Sequence, residues 1–267
     1  MEVVDVGRFT SIGIGVMARV VVARTRSELL NFDGFIIGGG SNLLICKGNA
    51  PKTFILNRVK GLDKSGTLIY AESGEKTSSL VNFALKNNLS GMEWAAGLPG
   101  TVGAAIAGNA GAYGGSISSV LLYADVMEKG KFVRKSALEC KFSYRQSGIS
   151  GVILGGCFML SRDSRENILR RMAIVKERRS AQPKGKSAGC SFRNPEGDSA
   201  GRLIEECGLK GCREGGAVIS PVHANFIIND GHASANDVLC LLNKAERAVY
   251  DRFGIRLERE IKIIGEE

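Results

Sequence analysis

Residues 97–115 read GLPGTVGAAIAGNAGAYGG, and the interpretation of this stretch decides the fold. Gly97, Gly100 and Gly103 recur every third residue, and Asn109-Ala110-Gly111 follow. Backbone without side chains can wrap a flat or phosphorylated ligand and present its N–H groups to it. On the residues alone, the start of a buried helix packed through small side chains explains the pattern as well. The stretch lies in a run from Trp94 to Ala124 without a charged residue. That length could span a bilayer, which needs ~20 apolar residues. Pro99, Asn109, the dense glycines and the scarcity of large aliphatics argue against a lipid-exposed segment.

A second glycine cluster lies upstream. Phe35-Ile36-Ile37 runs into Gly38-Gly39-Gly40-Ser41-Asn42, and Leu43-Leu44-Ile45-Cys46 resumes the apolar pattern. A strand–GGGSN–strand segment offers backbone donors and two side-chain donors to an anion. A plain glycine-rich turn is the alternative. The segment is neither G-x-G-x-x-G nor a P-loop, which ends G-K-[ST]. Glycine is in excess throughout, 35 in 267 residues, against an average usage of ~7%. No G-X-Y period accompanies it, so collagen is excluded.

The charge is basic, with 36 Lys and Arg against 27 Asp and Glu, a formal +9. Six of those nine charges fall between Arg162 and Lys186. Nucleic acid, an anionic surface and a phosphorylated small molecule all remain open on charge. The basic run contains no aromatic residue, which disfavours a nucleic-acid surface with stacking platforms. Seven cysteines without a CxxC pair and only two histidines disfavour a zinc site or a secreted disulfide framework. We expect no metal, and a cytoplasm with reduced thiols. The N-terminal MEVVDVGRFT lacks the basic-then-apolar pattern of a signal peptide.

The first half reads mainly as strands and turns: Thr53–Asn57, Leu68–Ser73, a hairpin from Val120–Glu128 to Lys131–Val133, and a buried strand at Val152–Leu160. A helix is expected over Lys76–Asn88. Another carries Ile168, Leu169, Met172 and Val175 on its apolar side and ends before Pro183. Ser199 would cap Ala200–Cys207, with Gly208 beyond its end. Ser234 and Asp237 form a capping box for a helix ended by Gly254. Ile255–Ile264 alternates as a strand should. Strands first and helices later indicate α+β.

Taken in order, eight segments resemble one family. They are TSIGIGVMA (10–18), GGGSNLLI (38–45), AGLPGTVGAAIAGNAGAYGG (96–115), SYRQSG (143–148), SAGCSFRNP (187–195), AGRLIEECGLKG (200–211), HANFIIN (223–229) and LEREIKIIG (257–265). Together they resemble the UDP-N-acetylenolpyruvoylglucosamine reductases of peptidoglycan synthesis, in the compact type without an extra substrate-capping insertion. The resemblance implies an FAD-binding domain of the vanillyl-alcohol-oxidase (PCMH) type with a smaller α+β substrate-binding domain. On that pattern residues 1–165 bind FAD in two α+β subdomains, about 1–57 and 58–165. Residues 166–254 bind substrate, and 255–267 form a C-terminal strand carrying Glu260 into the active site. NADPH reduces FAD, and flavin N5 passes hydride to the enolpyruvyl ether of the UDP-sugar, giving UDP-N-acetylmuramate. Gly38, Gly39, Gly40, Ser41, Asn42 and Leu43 would hold the FAD diphosphate with Gly100, Thr101, Val102, Gly103 and Ala104. Asn109, Ala110, Gly111 and Ile153 would lie nearer the ribityl chain and flavin.

Three residues match the family's catalytic set. Arg145 suits the negative charge on the pyruvyl carboxylate, because a guanidinium binds a carboxylate bidentately and does not deprotonate. Glu260 matches the glutamate that polarises the enolate as the protonated acid, a role that needs a raised pKa and therefore burial. Cys190 stands where most members carry serine as proton donor to C2. A thiol of reference pKa ~8.5 is the stronger acid of the two, so the role is chemically open to it. Ser191 is the alternative donor. Arg193 and Asn194 resemble contacts to the substrate's diphosphate and sugar, and Tyr144 to its pocket. Arg259, where proline is common, carries little weight on this reading. The expected protein is a cytoplasmic monomer with no nucleic-acid or membrane partner. Another flavin oxidoreductase of the same fold is the rival enzyme, and Arg145, Asn194 and Glu260 together separate the two.

Overall fold

A computed structural model describes residues 2–266. Its α-helices, in chain order, are α1 (Arg26–Asn31), α2 (Thr77–Lys86), α3 (Val102–Ala107), α4 (Arg165–Ser180), α5 (Ala200–Glu206) and α6 (Ala235–Phe253). The chain divides into two compact units, each assembled from separated segments. One comprises Val22–Gly39 and Ile55–Ala181; the other comprises the residues up to Val21, Gly40–Phe54 and the chain from Gln182 onward.

The first of these is built on a five-stranded antiparallel sheet. Its strands lie in the order Lys131–Ser136, Leu121–Glu128, Val152–Met159, Leu68–Glu72, Leu62–Ser65. The Leu121–Glu128 and Lys131–Ser136 hairpin turns through Lys129 and Gly130, both at positive φ. Two central residues in that conformation match the right-handed twist of the strands. Leu80, Val81 and Ala84 of α2 fall at helical spacing and are buried with Ile106 of α3 and Ala124, Val126 and Phe158 of the sheet. In α4 the buried stripe is Ile168, Met172 and Val175, spaced i, i+4, i+7. Leu169, expected on that side, is exposed because one residue further turns about 100° around the axis. The uncharged run from Trp94 to Ala124 breaks into two 3-10 turns, the six-residue α3, two short strands and the start of the Leu121–Glu128 strand. Among the described residues no helix is long and apolar enough to cross a membrane.

The other unit carries a four-stranded antiparallel sheet in the order Lys186–Cys190, Phe226–Asn229, Ala217–Ile219, Arg213–Glu214. Its core takes Leu203 and Ile204 from α5 and Val238, Leu241, Leu242, Ala245 and Val249 from α6. Each fully buried aliphatic side chain contributes ~1.5–3 kcal/mol. Ser234 and Asp237 exchange the two capping-box hydrogen bonds, and Gly254 ends α6 at φ 68°. Ser199 caps α5 by accepting from the Arg202 N–H.

The tail departs from the alternation expected of it. Only Lys262–Ile264 is strand, paired in parallel with Leu43–Ile45. Ile255–Ile261 is irregular apart from one bridge between Arg259 and Phe192. Alternating polarity marks which side chains are buried, as for Leu257 and Ile261, and does not by itself supply a pairing partner.

Candidate active site

In the first unit the two glycine segments meet. A β-carbon on Gly39 would sit 2.5 Å from Gly100 Cα, and one on Gly38 would strike the Thr101 hydroxyl. Only glycine tolerates that approach, and Gly100 also sits at φ 115°, where other residues are strained. Arg58 donates to the Gly38 carbonyl at 3.0 Å. Beside this contact lies a cavity of about 520 Å³ lined by Gly39, Gly100 and Thr101 together with Arg58, Lys60 and Lys76. The Thr101 hydroxyl is buried and has no hydrogen-bond partner in the protein. The first N–H groups of α3 are already spent, Val102 on Glu75 O and Gly103 on Ser73 O. Three cations, glycine walls and an unsatisfied buried hydroxyl fit the diphosphate of a dinucleotide such as FAD.

Further along, Asn109 is buried at φ 40°. Its side chain donates to Ser143 O at 2.9 Å and accepts from the Ser118 N–H at 3.0 Å. Ser143 and Gln146 close a turn with reciprocal backbone hydrogen bonds, and Arg145 lies inside it at φ 59°. The Arg145 guanidinium donates to Gly111 O. Exposed Tyr144 packs its ring under that guanidinium at 5.3 Å. Ala110 donates to Ala105 O, and Ile153 packs partly buried against the core. Thus Asn109, Gly111, Tyr144 and Arg145 form one local cluster.

The second unit holds the other candidates. Gly40 lies at φ 63°, where a β-carbon would strike the Phe9 carbonyl, followed by half-buried Ser41, Asn42 and Leu43. Asn42 donates from its side chain to Glu260 O at 2.9 Å and accepts at its carbonyl from the Lys262 N–H at 3.1 Å. Cys190 ends its strand half-buried opposite Phe226, whereas Ser191 is only 4% exposed. Ser191 donates to Asn225 O at 2.8 Å and accepts from the Glu260 N–H at 2.8 Å. This register sets half-buried Glu260 beside the end of the Cys190 strand. Arg193 donates from its guanidinium to Glu258 at 3.2 Å, while its buried Nε has no hydrogen-bond partner. Exposed Asn194 accepts from the Ala200 N–H at 3.1 Å, satisfying an orphan donor at the start of α5.

Several contributors escape a sequence reading. The buried Asn225 amide clasps both the N–H and the carbonyl of Phe192, each at 2.8 Å, and so fixes the backbone after Cys190. His223 accepts at Nδ1 from the Asn225 N–H, and burial pushes its pKa down, so the ring is held neutral. Arg259 is far from incidental: it binds Glu246 at 2.6 Å and also Asn243 and Glu266.

A glycine-walled, cation-lined cavity on this α+β scaffold defines an FAD-binding oxidoreductase of the vanillyl-alcohol-oxidase (PCMH) type, with a smaller α+β substrate-binding domain. Residues 22–135 match the family model described as FAD binding domain, and residues 182–264 match that of UDP-N-acetylenolpyruvoylglucosamine reductase, C-terminal domain. The UDP-N-acetylenolpyruvoylglucosamine reductase of Clostridium novyi is 40% identical over 89% of this chain and 80% of its own length. That of Caldanaerobacter subterraneus subsp. tengcongensis is 40% identical over 97% and 92%. The crystal structure of UDP-N-acetylenolpyruvylglucosamine reductase from Thermus caldophilus superposes with a TM-score of 0.89, at 37% identity over 98% of both chains. The chain belongs to the UDP-N-acetylenolpyruvoylglucosamine reductase family.

Proposed function

We propose that Arg145, Cys190 and Glu260 carry the chemistry of the family's reaction in this chain. That reaction reduces UDP-N-acetylglucosamine enolpyruvate to UDP-N-acetylmuramate for peptidoglycan synthesis, with NADPH and FAD. Bound FAD supplies hydride transfer from NADPH to the enolpyruvyl double bond. The observation that carries the assignment is the Glu260 N–H on Ser191 O, which sets one candidate alongside another.

Arg145 takes the substrate carboxylate. Its bond to Gly111 O and its stacking on Tyr144 aim the guanidinium and so reduce what it loses on binding. Cys190 hands its thiol proton to C2 as negative charge develops there. Its greater exposure favours it over buried Ser191. Glu260 holds the enolate oxygen. Arg193 and Asn194 take the UDP diphosphate and sugar, with Tyr144 lining the substrate pocket. Gly38–Leu43 and Gly100–Ala104 take the FAD diphosphate, with Asn109–Gly111 and Ile153 nearer the ribityl chain and flavin; Asn42 and Asn109 do so through main chain, their side-chain amides being bonded within the protein. Arg58, Lys60 and Lys76 add the positive field that the two phosphates require. Residues 1–165 form the FAD-binding domain, in two subdomains of about 1–57 and 58–165. Residues 166–254 bind substrate, and 255–267 carry Glu260. The protein works as a cytoplasmic monomer without nucleic-acid or membrane partners.

Purified protein should be yellow, absorb in the flavin bands, and sustain NADPH oxidation beyond one equivalent per flavin only when the enolpyruvyl substrate is present. A protein that takes up no FAD, or whose NADPH oxidation ignores the substrate, overturns the assignment.

A further inference from the structure

We infer that Asn42 and Asn109, one from each glycine-rich segment, are positioning residues whose side-chain amides hold the main chain that presents Glu260 and Arg145. The inference rests on the roles proposed above for those two residues and adds how they are aimed.

Both ends of the Asn109 amide are spent on main chain, the donor on Ser143 O and the acceptor on the Ser118 N–H. A buried amide satisfied in this way gains nothing by turning toward a ligand. Ser143 opens the four-residue turn in which Arg145 adopts φ 59°, a conformation most residues hold only when the surroundings enforce it. Two residues after Asn109, the Gly111 carbonyl receives the Arg145 guanidinium. The segment 109–111 therefore grips the turn twice, at its first carbonyl and at the arginine head. Without the Asn109 donor the turn loses the hold on its first carbonyl, and the left-handed conformation of Arg145 is less firmly enforced.

Asn42 does the equivalent for Glu260. Its side chain donates to the Glu260 carbonyl, and its own carbonyl receives the Lys262 N–H. The Glu260 N–H is held by Ser191 O. Both peptide groups that flank the Glu260 side chain are thereby fixed, one by Asn42 and one by the residue next to Cys190. The partners lie 34 and 218 residues apart in sequence, so neither bond is a local turn device.

The test uses Asn109→Asp and Asn42→Asp in FAD-loaded enzyme. Each keeps the side chain's shape, removes the donor and sets a carboxylate against a carbonyl. Flavin content, flavin spectrum, and the rates of flavin reduction by NADPH and reoxidation by the enolpyruvyl substrate are measured by stopped flow. We expect full flavin content and an unchanged spectrum, with reoxidation slowed roughly 10- to 100-fold, as a displacement of about 1 Å would cause. Asn109→Asp should raise KM for the substrate as well, since Arg145 binds its carboxylate, whereas Asn42→Asp should lower kcat alone. The decisive readout is the double-mutant cycle. Asn109→Asp should add no further loss on an Arg145→Ala background, nor Asn42→Asp on Glu260→Gln. Additive losses overturn the inference, and so does loss of flavin, which would make the side-chain amides themselves cofactor ligands. Should the aspartates fail to fold, Asn109→Ser and Asn42→Ser serve in their place; failure of both sets also counts against it, because a positioning bond is dispensable for the fold. Undiminished turnover in Arg145→Ala or Glu260→Gln overturns the underlying roles instead, which keeps the two failures apart.

Discussion

Cys190 sits at the last position of its strand, half-buried, while its neighbour Ser191 is closed off with both backbone groups hydrogen-bonded. Successive residues of an extended chain point to opposite sides, so only one of the two can face a substrate. Cys190→Ser should retain substantial activity, because a hydroxyl in the same place still has a proton to give. Cys190→Ala should let NADPH reduce the flavin but block its reoxidation by substrate, as read by stopped-flow absorbance. Normal turnover in the alanine variant would move the role to Ser191. Iodoacetamide should inactivate the native enzyme and leave Cys190→Ser resistant, since serine is not alkylated under the same conditions. At this scale the sequence shows which side chains are chemically able, because Arg145, Cys190 and Glu260 announce themselves by type and motif. It does not show what holds them. Asn225 reaches Phe192 across 33 residues, and Arg259 finds Glu246 thirteen residues away and Glu266 seven away, at separations no local pattern encodes.

Among the elements, α4 shows how a basic helix is tied down. Arg171 donates to buried Glu93 at 2.9 Å and to Asp163 at 2.5 Å, while Arg165, Arg170 and Arg178 stay exposed. Burial alone would raise the Glu93 pKa, but the Gly91 N–H and the Arg171 guanidinium outweigh it and bring it down. Arg171→Ala strands that carboxylate and should cost about 1–3 kcal/mol, measured as a lower denaturation midpoint in urea. Hydrogen bonds from Asn167 and then Arg171 pull Asp163 down to about 2. A depressed carboxylate stabilises the fold above its unfolded pKa of ~3.9 and loses that effect as pH falls through its folded value. The melting temperature should therefore fall between about pH 4 and pH 2, and Asp163→Asn should flatten that slope. An unchanged slope would remove Asp163 from the account. Element ends were the most legible part of the sequence: Ser199, Ser234 with Asp237, and Gly254 act within one helical turn, and all three sit where their spacing places them. The extent of the tail strand is not legible in its alternation, because its partner, Leu43–Ile45, lies more than 200 residues earlier.

For the whole molecule, the α+β class and the two glycine segments were legible because glycine density and strand-first order are global properties of the sequence. The cavity was not, because Lys60 and Lys76 look like ordinary surface lysines until Gly39 and Gly100 close beside them. Lys60→Glu with Lys76→Glu should weaken FAD binding to the apoprotein by about tenfold or more, followed by quenching of flavin fluorescence, and should leave riboflavin binding unchanged. The native protein's FAD affinity should also fall with added salt, and the double variant's should depend on salt far less. Equal FAD affinity in the two proteins would detach these lysines from the cofactor.

The interleaving of segments sets an order of assembly on the ribosome. The unit made of Val22–Gly39 and Ile55–Ala181 has all its residues once Ala181 has left the exit tunnel, and it can fold while synthesis continues. Leu43–Ile45 emerges early but has no strand partner until Lys262–Ile264 is made. Through most of translation that apolar edge waits unpaired, a target for chaperones and for pairing with other nascent chains. The segment that pairs with it comes just after Glu260, so a chain cut short before Glu260 lacks both the finished unit and the glutamate.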